Sequence, residues 1–304
     1  MENRGMVSVV IPTYKRPNVI SRAIESISSQ TYDNIEIIVV DDNGVGTVEQ
    51  MDTQKVVAVF GDKVKYIVHE NNKGGSAARN SGWRVSNGEY ITFVDDDDEL
   101  SSEKIEKQVR SLKGHDSSWG VSYTAYQVKM PNGTRQKSDK GRSGDVYLQA
   151  LARTLYMGSG SNMLIRKSLV DSIGGYDESF KRNQDIEFMT RLAKVSKFVF
   201  IPECLLTVHY EVRQFKRTYE FLDDVALYYL ERFKKDIDEL PDDDRKKVTT
   251  IISLDRARVA CNFKEYSAAK EILKINHVKT LSVCRYIYYL AHRYLFKKSY
   301  GFYY

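Results

Sequence analysis

Two short runs of aliphatic, mostly β-branched residues open the chain, Val7-Ser-Val-Val-Ile11 and Ile35-Glu-Ile-Ile-Val-Val40. The first stops at Pro12 and the second at Asp41-Asp42. Runs this continuous predict strands covered on both faces, as in a parallel sheet. Between them Val19, Ile20, Ala23, Ile24 and Ile27 recur at helical spacing behind Pro17, a residue tolerated in a first turn. The alternation continues with a strand over Val64 to Val68, a helix over Ser76 to Val85 and a strand over Tyr90-Ile-Thr-Phe-Val94. Strands alternating with helices predict an α/β protein with a doubly wound, mostly parallel sheet flanked by helices. Ligands of such sheets lie beyond the carboxyl ends of the strands, where this chain carries Thr13-Tyr14, Asp41-Asp42 and Asp95 to Asp98.

From about 115 to 140 the pattern becomes polar and Tyr-rich around Pro131-Asn-Gly133, which predicts a hairpin beside the main sheet. A glycine- and serine-rich loop, Gly158-Ser-Gly-Ser-Asn162, follows. Ile186, Met189, Leu192 and Ala193 then mark a helix, and 198–201 and 205–210 are strand-like. From about 215 helical periodicity dominates, with Ala257-Arg-Val-Ala260 and Tyr266-Ser-Ala-Ala269 suited to paired helices. The expected organisation is a catalytic domain over 1–215 and a helical, basic, aromatic extension over 216–304.

Composition is that of an ordinary globular protein, with 42% hydrophobic and 29% charged residues among 304. Charge is unevenly spread. Residues 264–304 hold eight Lys/Arg against two Glu, whereas the whole chain carries only +5, so the remainder is near neutral. A basic tail suits an anionic partner or is simply a solvated helix face. Nucleic acid is disfavoured, because the charge is confined to the tail and no recognition motif accompanies it. The segment 281–304 has seven tyrosines, Phe296 and Phe302, with Arg285, His292 and Arg293 near one helical face. That pattern fits peripheral membrane contact, and it equally fits docking on protein or on a second subunit of an oligomer. No apolar segment is long enough to span a bilayer, no signal peptide pattern precedes Pro12, and Cys204, Cys261 and Cys284 are widely separated. A cytoplasmic protein, peripheral on the inner membrane face, is expected.

The chemistry-bearing residues cluster at the strand ends. Asp95 to Asp98 sit at the end of a predicted buried strand, where hard carboxylate oxygens suit Mg2+ or Mn2+ bridging to substrate phosphates. An acidic turn ahead of a helix capped by Ser101 has the same pattern. Gly74 and Gly75 precede a helix carrying Arg79, a geometry suited to diphosphate, although neither the P-loop nor the dinucleotide spacing is present. Asn183-Gln184-Asp185 opens an amphipathic helix, placing Asp185 where a carboxylate serves as a general base or as an ordinary first-turn acid. His209 and Arg213 are further candidates for metal or diphosphate, and Asn162 for the site at large.

Four segments in order resemble glycosyltransferase family 2 over roughly residues 5–215. They are Val7 to Tyr14, Ile37 to Asp42, Gly74 to Asn80 leading into Phe93 to Asp98, and Ile173-Gly-Gly-Tyr-Asp-Glu178 followed by Asn183-Gln-Asp185. The resemblance implies a nucleotide-binding domain of the GT-A type, a nucleotide-sugar donor, UDP above all, and inversion at the anomeric carbon. By position it implies contacts to the nucleoside from Pro12, Thr13, Tyr14 and Asp42, with Asp95 or Asp96 nearer the ribose; Arg16, Gly75 and Arg79 are further donor-binding candidates. It further implies Asp97 as the direct ligand of a divalent metal, for which His209 is a second candidate on its residue type alone, and Asp185 as the base. The first acid of the family's Glu-Asp pair is here Gln184. A glycan or lipid-linked glycan acceptor, in bacterial surface polysaccharide synthesis, is the expectation that joins this chemistry to the basic, aromatic tail. The competing classes are a sugar nucleotidyltransferase, which would carry a glycine- and arginine-rich loop where Pro-Thr-Tyr-Lys-Arg-Pro17 stands, and an inactive scaffold subunit.

Overall fold

The computed structural model describes residues 5–130, 132–133, 135–210 and 218–302. The chain divides into two compact units, Met1–Asp145 with Met157–Glu211, and Val146–Tyr156 with Val212–Tyr304. The short segment 146–156 therefore groups with the C-terminal region, and the boundary expected at 215 falls outside the described residues.

In the first unit β1 (Val7–Thr13), α1 (Ile20–Ser28), β2 (Ile35–Asp41), α2 (Val48–Ala58), β3 (Val64–Val68), α3 (Gly75–Arg84) and β4 (Tyr90–Phe93) follow in chain order. The four strands lie parallel in the order β3-β2-β1-β4, with Val7 opposite both Ile35 and Tyr90. Their continuous apolar runs are explained by burial on both faces: Val9, Val10, Ile38 and Ile91 have no exposure at all. Strand order turns back between β1 and β4, so their carboxyl ends flank the crevice where open α/β sheets bind ligands. Helix α1 buries Ile20, Ala23, Ile24 and Ile27, the predicted stripe.

Beyond β4 the sheet becomes mixed. The added elements are β5 (Glu99–Leu100), α4 (Lys104–Lys113), β6 (Trp119–Lys129), β7 (Arg135–Ser138), β8 (Leu164–Arg166), α6 (Lys167–Ile173), α7 (Gln184–Val195) and β9 (Lys197–His209). Strand β8 runs antiparallel to β4, β6 antiparallel to β8, and β9 parallel to β6, continuing the sheet as β4-β8-β6-β9-β5. The two strand-like stretches near 200 are one strand, and the expected hairpin is β6 with β7.

Several elements escape the periodicity. Helix α2 buries Gln50 and Thr53 beside Val57, so no apolar stripe marks it; its start is held by Thr47, which accepts from the Gln50 amide at 3.2 Å. The helix after the aspartates begins at Lys104, with Glu103 rather than Ser101 in the capping position. The Ser101 amide is instead spent on the Leu205 carbonyl, at 2.9 Å, next to the pairing of β5 with β9.

The second unit comprises α5 (Tyr147–Leu151), α8 (Tyr219–Arg232), α9 (Lys234–Asp238), α10 (Asp242–Asn262), α11 (Tyr266–Ile275) and α12 (Thr280–Phe296). Ala257 and Ala260 of α10 meet Ala269 of α11, where small side chains let two helices approach closely. Arg256 grips Asp223 of α8 through two bonds of 2.7 and 2.8 Å, and Arg258 reaches Asp255 at 2.6 Å. Helix α12 buries Ser282, Tyr286 and Tyr289; the Tyr289 hydroxyl donates to the Tyr300 carbonyl at 2.6 Å. Among the described residues no helix is long and apolar enough to cross a membrane.

Candidate functional site

The end of β4 delivers its four aspartates into a tight turn, closed by the Asp98 amide on the Asp95 carbonyl at 3.1 Å. The end of β1 meets them from the next strand. Thr13 Oγ1 donates to Asp96 at 2.7 Å, and Arg16 Nη1 reaches Asp96 at 2.9 Å and Asp97 at 2.5 Å. Arg22 of α1 donates to the Asp97 carbonyl at 2.8 Å. Asp98 turns the other way and accepts from Ser159 and Ser161 at 2.5 and 2.6 Å. Ser161 Oγ also accepts from the Asp95 amide at 2.9 Å, so the loop 159–161 is stapled to the acidic turn.

This concentration of carboxylates is electrostatically costly. Burial, against which Arg16 acts, together with Asp97 and Asp95 pushes the Asp96 carboxyl up to about 7. Burial, with Asp95 adding to it, pushes Asp98 up to about 8. Beneath them the Lys104 ammonium is buried, donating to Gln108 and to the Asn162 carbonyl at 2.6 and 3.0 Å; burial brings it down to about 7. Five carboxyl groups, Asp95 to Asp98 and Asp185, thus share this corner with four basic side chains, Arg16, Arg22, Arg79 and Lys104.

Asp42, at the end of β2, is buried and accepts from His69 Nδ1, the Asn72 amide group and the backbone amides of Lys73 and Gly74, at 2.7 to 3.0 Å. Four partners use the lone pairs of a carboxylate. Asp42 thus shapes the loop entering α3. Asp41, beside it, accepts from Tyr66 and from the Asn43 amide.

Arg79 lies on the first turns of α3, but its guanidinium does not face open solvent. It donates to Asp95 at 2.6 Å and to Gln184 at 3.0 Å, and its carbon lies 5.3 Å from the centre of the Tyr176 ring. Gly75 permits this bridge: a Cβ there would stand 3.0 Å from Arg79 Nη1 and 3.1 Å from the Gln184 oxygen. Arg79 therefore ties the acidic turn to the start of α7, where Asp185 follows Gln184. Burial and the Asp95 charge raise the Asp185 carboxyl above its ordinary range, while Arg79 and the helix-terminal amides of Ile186 and Asp185 itself act against the rise.

The segment between α6 and α7 is built to hold this corner. Gly175 has a φ of +76°, and a Cβ there would fall 2.5 Å from the Asn80 side-chain oxygen. Asn80 exchanges two hydrogen bonds with the Tyr176 backbone, at 2.9 and 2.8 Å. The Tyr176 ring stacks on Phe188 at 3.9 Å between centroids, and its buried hydroxyl has no hydrogen-bond partner among the described residues.

The expected site residues thus divide. Thr13, Arg16, Gly75, Arg79, Asp95, Asp96, Asp97, Gln184 and Asp185 are linked, through the contacts above, around the ends of β1 and β4. Pro12 lies within β1, and Tyr14 is exposed beyond it with Lys15 over its ring. His209 Nε2 lies 2.9 Å from a carboxylate oxygen of the half-exposed Glu99. Asn162 is fully buried and saturated, accepting from the Thr124 amide and hydroxyl and donating to the Thr124 and Met157 carbonyls; it braces the loop. Arg213 lies outside the described residues. The periodicity reading missed Ser159, Ser161, Tyr176 and Lys104, although Lys104 is signalled by its place on the stripe of Ile105, Gln108, Val109 and Leu112, all buried.

Among the described residues no three His, Cys, Asp or Glu side chains are arranged as a ready metal cage. The donor set nevertheless suits a hard divalent ion that takes one or two carboxylates and completes its shell from phosphate and water, because the side-chain donors gathered at the turn are carboxylate oxygens.

A mostly parallel sheet with its acidic turn at the strand-order reversal, and Asp185 at the start of α7, is the arrangement of a GT-A glycosyltransferase fold, which the solved structures below share. The chain belongs to glycosyl transferase family 2, whose family model matches residues 8–174. It is 33% identical over 207 residues to an uncharacterized glycosyltransferase of Rickettsia prowazekii, a match covering 66% of this chain and 63% of the relative. A second relative, from Rickettsia felis, is matched over 35% of its length. Over 100 residues, 32% of this chain and 31% of the relative, it is 40% identical to a GalNAc(5)-diNAcBac-PP-undecaprenol beta-1,3-glucosyltransferase of Campylobacter jejuni. In fold it is similar to S. aureus TarS 1–349 in complex with UDP-GlcNAc, with TM-score 0.61 and 18% identity over 85% of this chain and 73% of that one. It is likewise similar to the mannosyltransferase PcManGT of Pyrobaculum calidifontis in complex with GDP-Man and Mn2+, with TM-score 0.59 and 16% identity over 96% and 81%.

Proposed function

We propose that this chain is a metal-dependent, inverting glycosyltransferase that moves a sugar from a UDP-sugar to a hydroxyl of a growing lipid-linked glycan in bacterial surface polysaccharide synthesis. The observation that carries the reading is the carboxylate of Asp185, held at a helix start across the Arg79 bridge from the acidic turn of β4. Its raised basicity suits removal of a proton from an acceptor hydroxyl. Arg16 and Arg79 supply positive charge beside the acidic turn, where the donor diphosphate would lie. Asp97, with Asp95 beside it, would hold Mn2+ or Mg2+, which when bound offsets the charge developing on the leaving diphosphate. Thr13 and Asp96 order the donor side of the crevice. The acceptor class is supported by the Campylobacter relative's name, and UDP by the TarS complex.

Thermal unfolding with UDP and Mn2+, for wild type and Asp97→Ala, tests the donor site without knowledge of the acceptor. Ligand at a hundred times its dissociation constant should stabilise by about 2.7 kcal/mol, a rise of several degrees. The rise should need the metal and vanish in Asp97→Ala. A response to GDP and none to UDP would replace the donor; no response to any nucleoside diphosphate would overturn the reading.

A further inference from the structure

Helix α12 carries large apolar or aromatic side chains on both its inward and its outward face. Its inward face is the set Ser282, Tyr286 and Tyr289. Its outward face carries Leu281, Tyr288 and Leu295, spaced by seven, with Ile287 and Tyr294 alongside; Tyr288 is 73% and Tyr294 85% exposed. Contiguous apolar surface of this kind marks a binding face. The surrounding charge says what kind. From residue 272 to the end of the chain there is no Asp or Glu, while Lys274, Lys279, Arg285, Arg293, Lys297 and Lys298 are present. Lys279 and Lys297 are exposed at the two ends of α12, and Arg285 opens beside Tyr288, Tyr289 and Tyr300 on a groove of about 560 Å³.

We propose that α12 is a lipid-surface anchor, lying in the headgroup region of an anionic membrane with Leu281, Tyr288 and Leu295 toward the acyl chains and Lys279, Arg285 and Lys297 on the phosphates. Aromatic rings and long cationic side chains are the residues that settle at that boundary. A second copy of the chain fits the apolar stripe but not the charge, because two carboxylate-free basic tails would repel. The inference rests on this helix and not on the glycosyl-transfer reading.

The test is sedimentation of the full chain with vesicles of phosphatidylcholine, with and without phosphatidylglycerol. Retention is expected on the anionic vesicles and not on the neutral ones. The triple variant Lys279→Gln, Arg285→Gln, Lys297→Gln should lose about a hundredfold in partition, at about fivefold per cation near an anionic surface. The triple variant Leu281→Gln, Tyr288→Gln, Leu295→Gln should lose on the order of tenfold or more. Both should melt as wild type does and keep any nucleotide response, which separates this inference from the one about the site. Equal retention on neutral vesicles, no retention on anionic ones, or triple variants that bind like wild type would overturn it. So would a dimer that sedimentation equilibrium finds in the wild type and that the Gln triple dissociates without any effect on vesicles.

Discussion

Replacing Arg79 by Met separates the two tasks its guanidinium performs. The side chain is 15% exposed and pairs with Asp95, which is 28% exposed, at 2.6 Å, while its other nitrogen holds Gln184 at 3.0 Å. Removing one partner of a buried pair costs about 3–5 kcal/mol, and the solvent reaching Asp95 screens part of that, leaving about 2 kcal/mol. At roughly 2–4 °C per kcal/mol for a domain of this size, the melting temperature should fall by about 4–8 °C. The second effect is on Asp185, whose basicity is raised by burial and by Asp95 and is held down by Arg79. Without the cation the carboxylate keeps its proton to higher pH, so less of it is ionised at neutrality. The acidic limb of the pH profile of kcat/KM, measured by nucleotide release from the responding donor, should therefore move upward. Arg79→Lys retains the charge but not the fork, and should restore the limb while leaving most of the stability loss. A melting temperature that falls with an unmoved acidic limb would show that Arg79 braces the fold without acting on Asp185, and would refute the electrostatic argument.

Asn162→Ala removes four hydrogen bonds inside the first unit and should cost about 2–4 kcal/mol, while the nucleotide-induced rise in melting temperature persists. Loss of the nucleotide response at wild-type stability would return Asn162 to the site. Asp96 ionises near 7 in the fold against an ordinary 3.8, so the stability it contributes is complete below the unfolded value and is lost as pH rises through about 7. Asp96→Asn cannot ionise, and its melting temperature should gain on wild type across that window; parallel curves in calorimetry would contradict the assignment.

The fold's central half was legible because its physics is local. Strands covered on both faces must be continuously apolar, so Val7 to Ile11, Ile35 to Val40 and Tyr90 to Val94 announced β1, β2 and β4, and the ordered motifs announced the family. The acidic turn and Asp185 were legible for the same reason, since each sits at an element boundary that the pattern marks. Other features were decided only by packing. Helix α2 hides because its inward face is Gln50 and Thr53, satisfied by partners remote in sequence, such as Tyr66 and Asn43. Arg79 is marked in the sequence as a cation behind two glycines, but only the fold brings Gln184, 105 positions away, onto one of its nitrogens. Asp42 and Asn162 look alike in the sequence as polar candidates, and only the folded chain reveals the four protein hydrogen bonds that each makes. Which carboxylates carry a proton is likewise a property of the assembled turn. Sequence specifies each side chain's chemistry, but desolvation and pairing arise from neighbours that tertiary structure alone supplies.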